Sequence, residues 1–419
     1  MHLVWEFHHS TRYSICLIVS SILLLSGCGG GGGGSIVIPP FWIESGIVVA
    51  DLDGNGLDDV AVASTYIAGP PPHPGYVEVY LQTSAGVFGA PVRYPVAADP
   101  WGMSAGDIDG DGLLDLVVAT PSTVVPQINV TTNTGGVSIL RQDHTNQGHF
   151  LDSQWIFTGG AATDAAIAKL DQDSLADLVV ADGVLANGRA MLYLQNPALP
   201  GEFQPPSYLL SGSGKGSEDL AVADVNGDSL DDIVLAAYDS VVVFYQLPGG
   251  GFSSPAILAA GLRPDGVAVE DLDGNGLADI IVANAGNAPE GGSGGASVTI
   301  LSQTGLGVFV PTNIPVADGA RRLAVGDLNG DTYPDIAVVS LVYQDIYTPS
   351  QVSVLLQSNA NRGHFTVAGV YNGTLSGNFI AIGDVNGDNR NDIILNDGPG
   401  VLIQRATPAG SFEAIRPLR

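Results

Sequence analysis

The stretch DLDGNGLDDVAVAS, residues 51–64, sets Asp51, Asp53, Asn55 and Asp59 on alternate positions and then runs directly into a β-branched apolar segment. Oxygen-bearing side chains at this spacing suit a hard cation. Calcium takes about six to eight oxygen ligands, which carboxylates or amides at positions 1, 3 and 5, a backbone carbonyl at 7 and a carboxylate at 9 can supply. Glycine at positions 4 and 6 permits the tight, partly left-handed turn. A helix–loop–helix site does not fit, because position 12 is Val62, inside an apolar run with strand character.

The same pattern recurs at DIDGDGLLD (107–115), KLDQDSLAD (169–177), DVNGDSLDD (224–232), DLDGNGLAD (271–279), DLNGDTYPD (327–335) and DVNGDNRND (384–392). The starts lie 56, 62, 55, 47, 56 and 57 residues apart, so internal repetition dominates the sequence. Around each loop stand a short apolar strand before it, a Val/Ile-rich run after it, a third strand ending in glutamine (Gln82, Gln142, Gln195, Gln246, Gln303, Gln357, Gln404) and then a Gly-x-Phe and a looser fourth strand. Four short strands per unit, seven times over, predict an all-β, seven-bladed β-propeller over 46–419, with repeats starting near 46, 102, 164, 219, 266, 322 and 379. Whether residues 36–45 add a closing strand is left open.

These motifs, with the literal FG and GAP letters in VFGAPV (87–92), resemble those of FG-GAP (VCBS-type) repeat proteins and are similar to the propeller of integrin α subunits. The resemblance covers about 46–419 and also implies calcium in the loops between strands 1 and 2.

The expected calcium ligands are Asp51, Asp53, Asn55, the Leu57 carbonyl and Asp59 in the first loop, and Asp107, Asp109, Asp111, the Leu113 carbonyl and Asp115 in the second. Asp224, Asn226, Asp228, the Leu230 carbonyl and Asp232 follow in the fourth, and Asp271, Asp273, Asn275, the Leu277 carbonyl and Asp279 in the fifth. The sixth offers Asp327, Asn329, Asp331, the Tyr333 carbonyl and Asp335; the seventh offers Asp384, Asn386, Asp388, the Arg390 carbonyl and Asp392. In the third copy Lys169 replaces the first aspartate while Asp171, Asp173 and Asp177 remain. The Lys169 ammonium is expected in the ion's place, leaving about six calcium ions. Clustered carboxylates repel one another unless a cation is present, which turn-capping aspartates alone would not explain seven times.

Acidic residues outnumber basic ones 43 to 14, for a net charge of −29, which argues against nucleic acid or anionic lipid as charge-attracted partners. Residues 1–27 read as a lipoprotein signal peptide. Leu25-Ser26-Gly27-Cys28 resembles a bacterial lipobox, with Cys28 as the lipidated residue and 28–45 as a glycine-rich tether. The expected location is the bacterial cell envelope, on an outer-membrane lipoprotein. Cys16 lies in the removed segment, so the mature chain holds no internal disulfide.

No catalytic constellation stands out: His73, His144, His149 and His364 are scattered, and no nucleophile elbow occurs. Variable loops on a rigid frame concentrate binding, so the face opposite the acidic loops is the candidate ligand surface. It offers Tyr66, Asp99, Trp101, Arg263, Asp265, Arg321, Arg322, Tyr343 and Tyr347. The favoured reading is a calcium-stabilised, lipid-anchored adhesion module for an extracellular protein or glycan, acting as a monomer. A lyase-like polysaccharide-degrading propeller and an envelope scaffold stay open.

Overall fold

The computed structural model describes residues 41–418 except 68–72, 122, 126–129, 133–134, 184–187, 213–215, 288–293, 342–348, 374–376 and 397–399. The expectations for residues 1–40, Cys28 among them, and for Tyr343 and Tyr347 lie outside the described residues.

Seven antiparallel four-stranded sheets follow one another along the chain. Blade 1 is Phe41–Ala50, Asp59–Ile67, Gly75–Tyr80 and Val92–Val96; blade 7 is Ile380–Gly383, Asp392–Leu395, Gly400–Leu402 and Arg416–Pro417. The inner strands between them are Met103–Gly106, Ala162–Ala168, Ser217–Ala223, Pro264–Glu270 and Ala320–Gly326. Each inner strand touches the inner strands of both neighbouring blades, and that of blade 1 touches that of blade 7, so the ring closes. Residues 41–45 extend the inner strand of blade 1, pairing Phe41 with Ile67 and Glu44 with Ser64, and add nothing to blade 7.

The apolar runs after each loop are buried throughout because they are covered on both sides. Val60 and Val62 pack with Ile394 and Val401 of blade 7, while Ala61 and Ala63 pack with Leu116 and Val118 of blade 2. The core is therefore a set of slabs, one at each of the seven blade interfaces. A lone four-stranded sheet would leave both faces wet; the ring removes that exposure.

The recurring glutamine is the polar link across these slabs. Gln303 Nε2 donates to the Ala278 carbonyl at 2.7 Å in its own acidic loop and to the Val225 carbonyl at 2.8 Å in the loop of the blade before, while Oε1 accepts Gly307 N–H at 2.8 Å. Gln195 reaches back to Ile108 and Gln404 to Leu328 in the same way, and Gln82 reaches Asp384 across the seam between blades 1 and 7. Gly-x-Phe completes the device: its glycine turns left-handed, as at Gly148 (φ 77°), and packs where a Cβ would lie 2.7 Å from that of Asp53. The acidic loop of one blade is thus capped by the turn of the next.

Gln142 and Gln357 bond within their own blades, and in blade 4 neither amide atom of the buried Gln246 has a hydrogen-bond partner. Gln303→Leu is expected to cost about 2–4 kcal/mol in urea unfolding, because buried backbone groups lose their partners, whereas Gln246→Leu is neutral or stabilising.

Candidate metal loops and axial site

In loops 2, 4 and 5 the first aspartate gathers three backbone N–H groups, and in loops 6 and 7 four, the fourth from Asn329 and Asn386. Asp107 Oδ1 accepts from Gly110 at 2.7 Å and Asp111 at 3.1 Å, and Oδ2 accepts from Gly112 at 2.9 Å. Asp224, Asp271, Asp327 and Asp384 repeat the arrangement, and Asp51 holds Asn55 and Gly56 in loop 1. Positions 4 and 6 are left-handed in all six, even where position 6 is Ser229 (φ 66°), Thr332 (φ 74°) or Asn389 (φ 60°). A β-branched residue there is strained, and such strain marks a geometry that the surroundings impose.

Loop 3 is built differently. Neither Gln172 nor Ser174 is left-handed, and no aspartate stands at position 1 to draw in their N–H groups. The Lys169 side chain is exposed, and Lys169 enters the hydrogen-bond network through its backbone N–H, which donates to Asp231 of blade 4 at 2.8 Å. The expectation that its ammonium stands in the ion's place is therefore corrected: a four-carbon stem at the loop's entrance gains more from solvation of its charge in water. Gln172 instead reaches the Pro248 carbonyl of the next blade.

The donor sets fit a divalent cation to different degrees. In loops 1, 2 and 5 the carboxylates of Asp51, Asp53 and Asp59, of Asp107, Asp109 and Asp115, and of Asp271, Asp273 and Asp279 each bring oxygens within 4.8 Å of one another. Asp109 Oδ1 is buried without a hydrogen-bond partner, the condition of an oxygen left for an ion. Loops 4, 6 and 7 have asparagine at position 3. Asn329 Nδ2 and Asn386 Nδ2 donate to Asp335 and Asp392 at 2.9 Å, so an ion there requires the amide to turn its oxygen inward. In loop 7 the Arg390 guanidinium also pairs with Asp388.

The ninth-position aspartates do more than offer a ligand. Asp279 Oδ2 accepts Leu272 N–H at 3.0 Å and Oδ1 accepts Gln303 N–H at 2.7 Å; Asp177 of the altered loop makes the same pair of bonds. This staple is thus independent of the metal cradle. Burial pushes Asp59, Asp115, Asp177, Asp232, Asp279 and Asp335 up to about 6, and Asp392 to about 7, against the N–H bonds that lower them. A raised folded-state value means that the folded chain holds protons which the unfolded chain has released. The metal-free protein is therefore expected to lose melting temperature as pH rises from the ordinary 3.8 through about 6, read by calorimetry in chelator.

At the opposite ends of the inner strands lies a second polar cluster. Arg322 is buried, with Nη1 donating to Asp265 Oδ1 and to its carbonyl, both at 2.6 Å, and Nη2 to the Glu218 carbonyl at 3.0 Å. Its guanidinium covers the Phe379 ring at 5.1 Å, and Phe379 meets Trp101 edge-on at 5.6 Å. Arg321 Nη1 bonds Asp265 Oδ2 at 2.7 Å, and Arg263 stacks on Tyr238 at 4.8 Å. Arg322 and Asp265 thus plug the axis, a structural use of two residues expected on the ligand face, while Arg321, Arg263 and Trp101 border it. Asp99 and Arg263 are left-handed, at φ 54° and 59°. Tyr66 sits at the end of a strand of blade 1, its N–H donating to the Pro74 carbonyl at 3.0 Å.

Sequence reading missed Asp164, Glu218 and Asp219. Asp164 and Asp219 share a carboxyl–carboxyl hydrogen bond, and burial together with Asp219 holds Asp164 well above the usual carboxylate range. Aligning the repeats would have found them, since Asp164 and Asp219 occupy the register of Arg322, and Glu218 that of Asp265 and Arg321.

An FG-GAP-like repeat model matches residues 51–118, 169–235 and 224–282, and an FG-GAP repeat model matches 100–140. Among solved structures, the chain is similar to the exotype rhamnogalacturonan lyase YesX at 12% identity, covering 86% of this chain and 72% of that one, with a TM-score of 0.50. It is also similar to an Agrocybe aegerita lectin described as recognising non-reducing terminal N-acetylglucosamine, at 18% identity, covering 89% of this chain and 94% of that one, with a TM-score of 0.51. At these identities the likeness is one of fold. Repeat matches that cover the first five acidic loops, set in a closed ring of seven four-stranded blades, make this chain an FG-GAP repeat β-propeller.

Proposed function

We propose that the chain is a calcium-stabilised binding module, anchored in a bacterial envelope through Cys28, whose face opposite the acidic loops engages a protein or glycan. The observation that carries the calcium reading is the contrast between six loops with a first-position aspartate and two left-handed turns and a third loop with neither. Six ions would offset much of the −29 charge. At roughly tenfold saturation each stabilises the fold by about 1.4 kcal/mol, and together they match the 5–15 kcal/mol typical of a domain. In a mature chain whose cysteine is used for lipid, such ions do the work of cross-links. The fold shared with a lectin and a polysaccharide lyase supports carbohydrate as the ligand class to screen first.

Metal analysis of dialysed protein is expected to give six calcium ions per chain, and chelation to lower the melting temperature; seven ions, or an unchanged melting temperature, would refute the reading. Loop 2, with four carboxylates at ligand positions, should bind tightest. Loop 7 should bind weakest, and Arg390→Leu should tighten it by freeing Asp388, which calcium titration calorimetry would register. Cys28→Ala should move the chain from the membrane fraction to the soluble one.

A further inference from the structure

The inner strands of blades 4, 5 and 6 carry a β-bulge at their axial ends, between Ser217 and Asp219, Pro264 and Gly266, and Ala320 and Arg322. A bulge leaves one residue out of the ladder and re-aims it. Here those residues are Glu218, Asp265 and Arg321. Two of them satisfy each other, because Asp265 takes Arg321 on one oxygen and Arg322 on the other. Glu218 takes part only through its backbone carbonyl. Among the described residues no hydrogen bond or ion pair reaches its carboxylate, although protein surrounds it and part of its surface stays open to solvent. Burial pushes it up to about 7, with Asp265 adding to the rise and Arg322, Arg321 and Arg263 opposing it.

Charge selects what this mouth can receive. Three guanidinium groups oppose a cation, and Glu218, Asp219 and Asp265 oppose an anion, so an uncharged ligand pays neither repulsion. A carboxylate with unused lone pairs is a strong acceptor for hydroxyl groups, and a guanidinium beside it is a donor. Behind the mouth the Arg322–Asp265 pair plugs the axis, with Arg322 over the Phe379 ring, so a ligand enters by its end and does not thread the ring.

We propose that Glu218 receives the hydroxyl groups of a neutral saccharide terminus entering the axial mouth end-on, with Arg263 beside it. The inference rests on reading this face as the binding face. The test is an oligosaccharide array carrying neutral hexose and N-acetylhexosamine ends and uronic-acid ends, probed with calcium-loaded wild type, Glu218→Ala and Glu218→Gln, with melting curves of each. Wild type should retain a neutral-ended glycan, and Glu218→Ala should lose about tenfold to a hundredfold in affinity. Glu218→Gln should lose less, because its amide keeps an acceptor. Melting temperatures should stay near wild type, because no partner within the protein is removed. Equal binding by Glu218→Ala overturns the inference and leaves binding through this face standing. Retention of uronic-acid ends alone overturns the charge argument. A wild type that retains no glycan overturns the inference together with the glycan arm of the reading above.

Discussion

The structure depends on burying a carboxylate once per blade. Each ninth-position aspartate sits out of water, with one oxygen on the N–H that opens its loop and the other on the N–H of the strand-ending glutamine. That pair of bonds locks the loop to the third strand and so sets the register of the sheet. In blades 1, 3, 5 and 7 the glutamine side chain then carries the constraint to the preceding blade. A buried acid satisfied by backbone donors holds its geometry firmly, yet its charge stays expensive without a proton or a cation nearby. The same seven groups that organise the ring therefore tie its stability to their protonation.

Much of this architecture was legible in the sequence, because the repeat supplies its own alignment. The seven glutamines and seven Gly-x-Phe motifs stood out before any contact was known, and each pair faces the other across a short ladder, as Gln82 does Phe88 and Gln303 does Phe309. The illegible parts are those that depend on local geometry. Nothing in KLDQDSLAD shows that Lys169 turns to solvent. Nothing in DLNGDTYPD shows that the Asn329 amide faces Asp335 with its nitrogen. The axial acids were hidden because a bulge shifts the side-chain alternation by one residue, so Glu218 and Asp219 read as ordinary positions of a strand.

The inner strands carry different chemistry at their two ends. The axial residues Glu218, Asp265 and Arg321 stand six positions before the loop-opening Asp224, Asp271 and Asp327, about 20 Å of extended chain. At one end carboxylates converge with backbone N–H groups and, in loops 1, 2 and 5, with one another, as groups that could hold a metal ion. At the other, carboxylates converge with arginines in a form that completes itself, apart from Glu218. Burying Arg322 among Asp219, Asp265 and the Glu218 carbonyl is costly in desolvation and gains little net stability, but it fixes one arrangement of side chains across the axis.

Every blade is made from one unbroken stretch of chain, and blade 1 and blade 7 exchange no strand. Among the described residues each hydrogen bond of their joint uses a side chain: Gln82 donating to the Asp384 carbonyl, Asp58 accepting the Asp384 N–H at 2.7 Å and Asn396 donating to the Glu44 carbonyl at 2.9 Å, with the apolar slab between them. Mechanically this is a hoop with no overlapping splice. Parting of that joint would open the hoop at one place and leave, elsewhere, a curved stack of intact sheets.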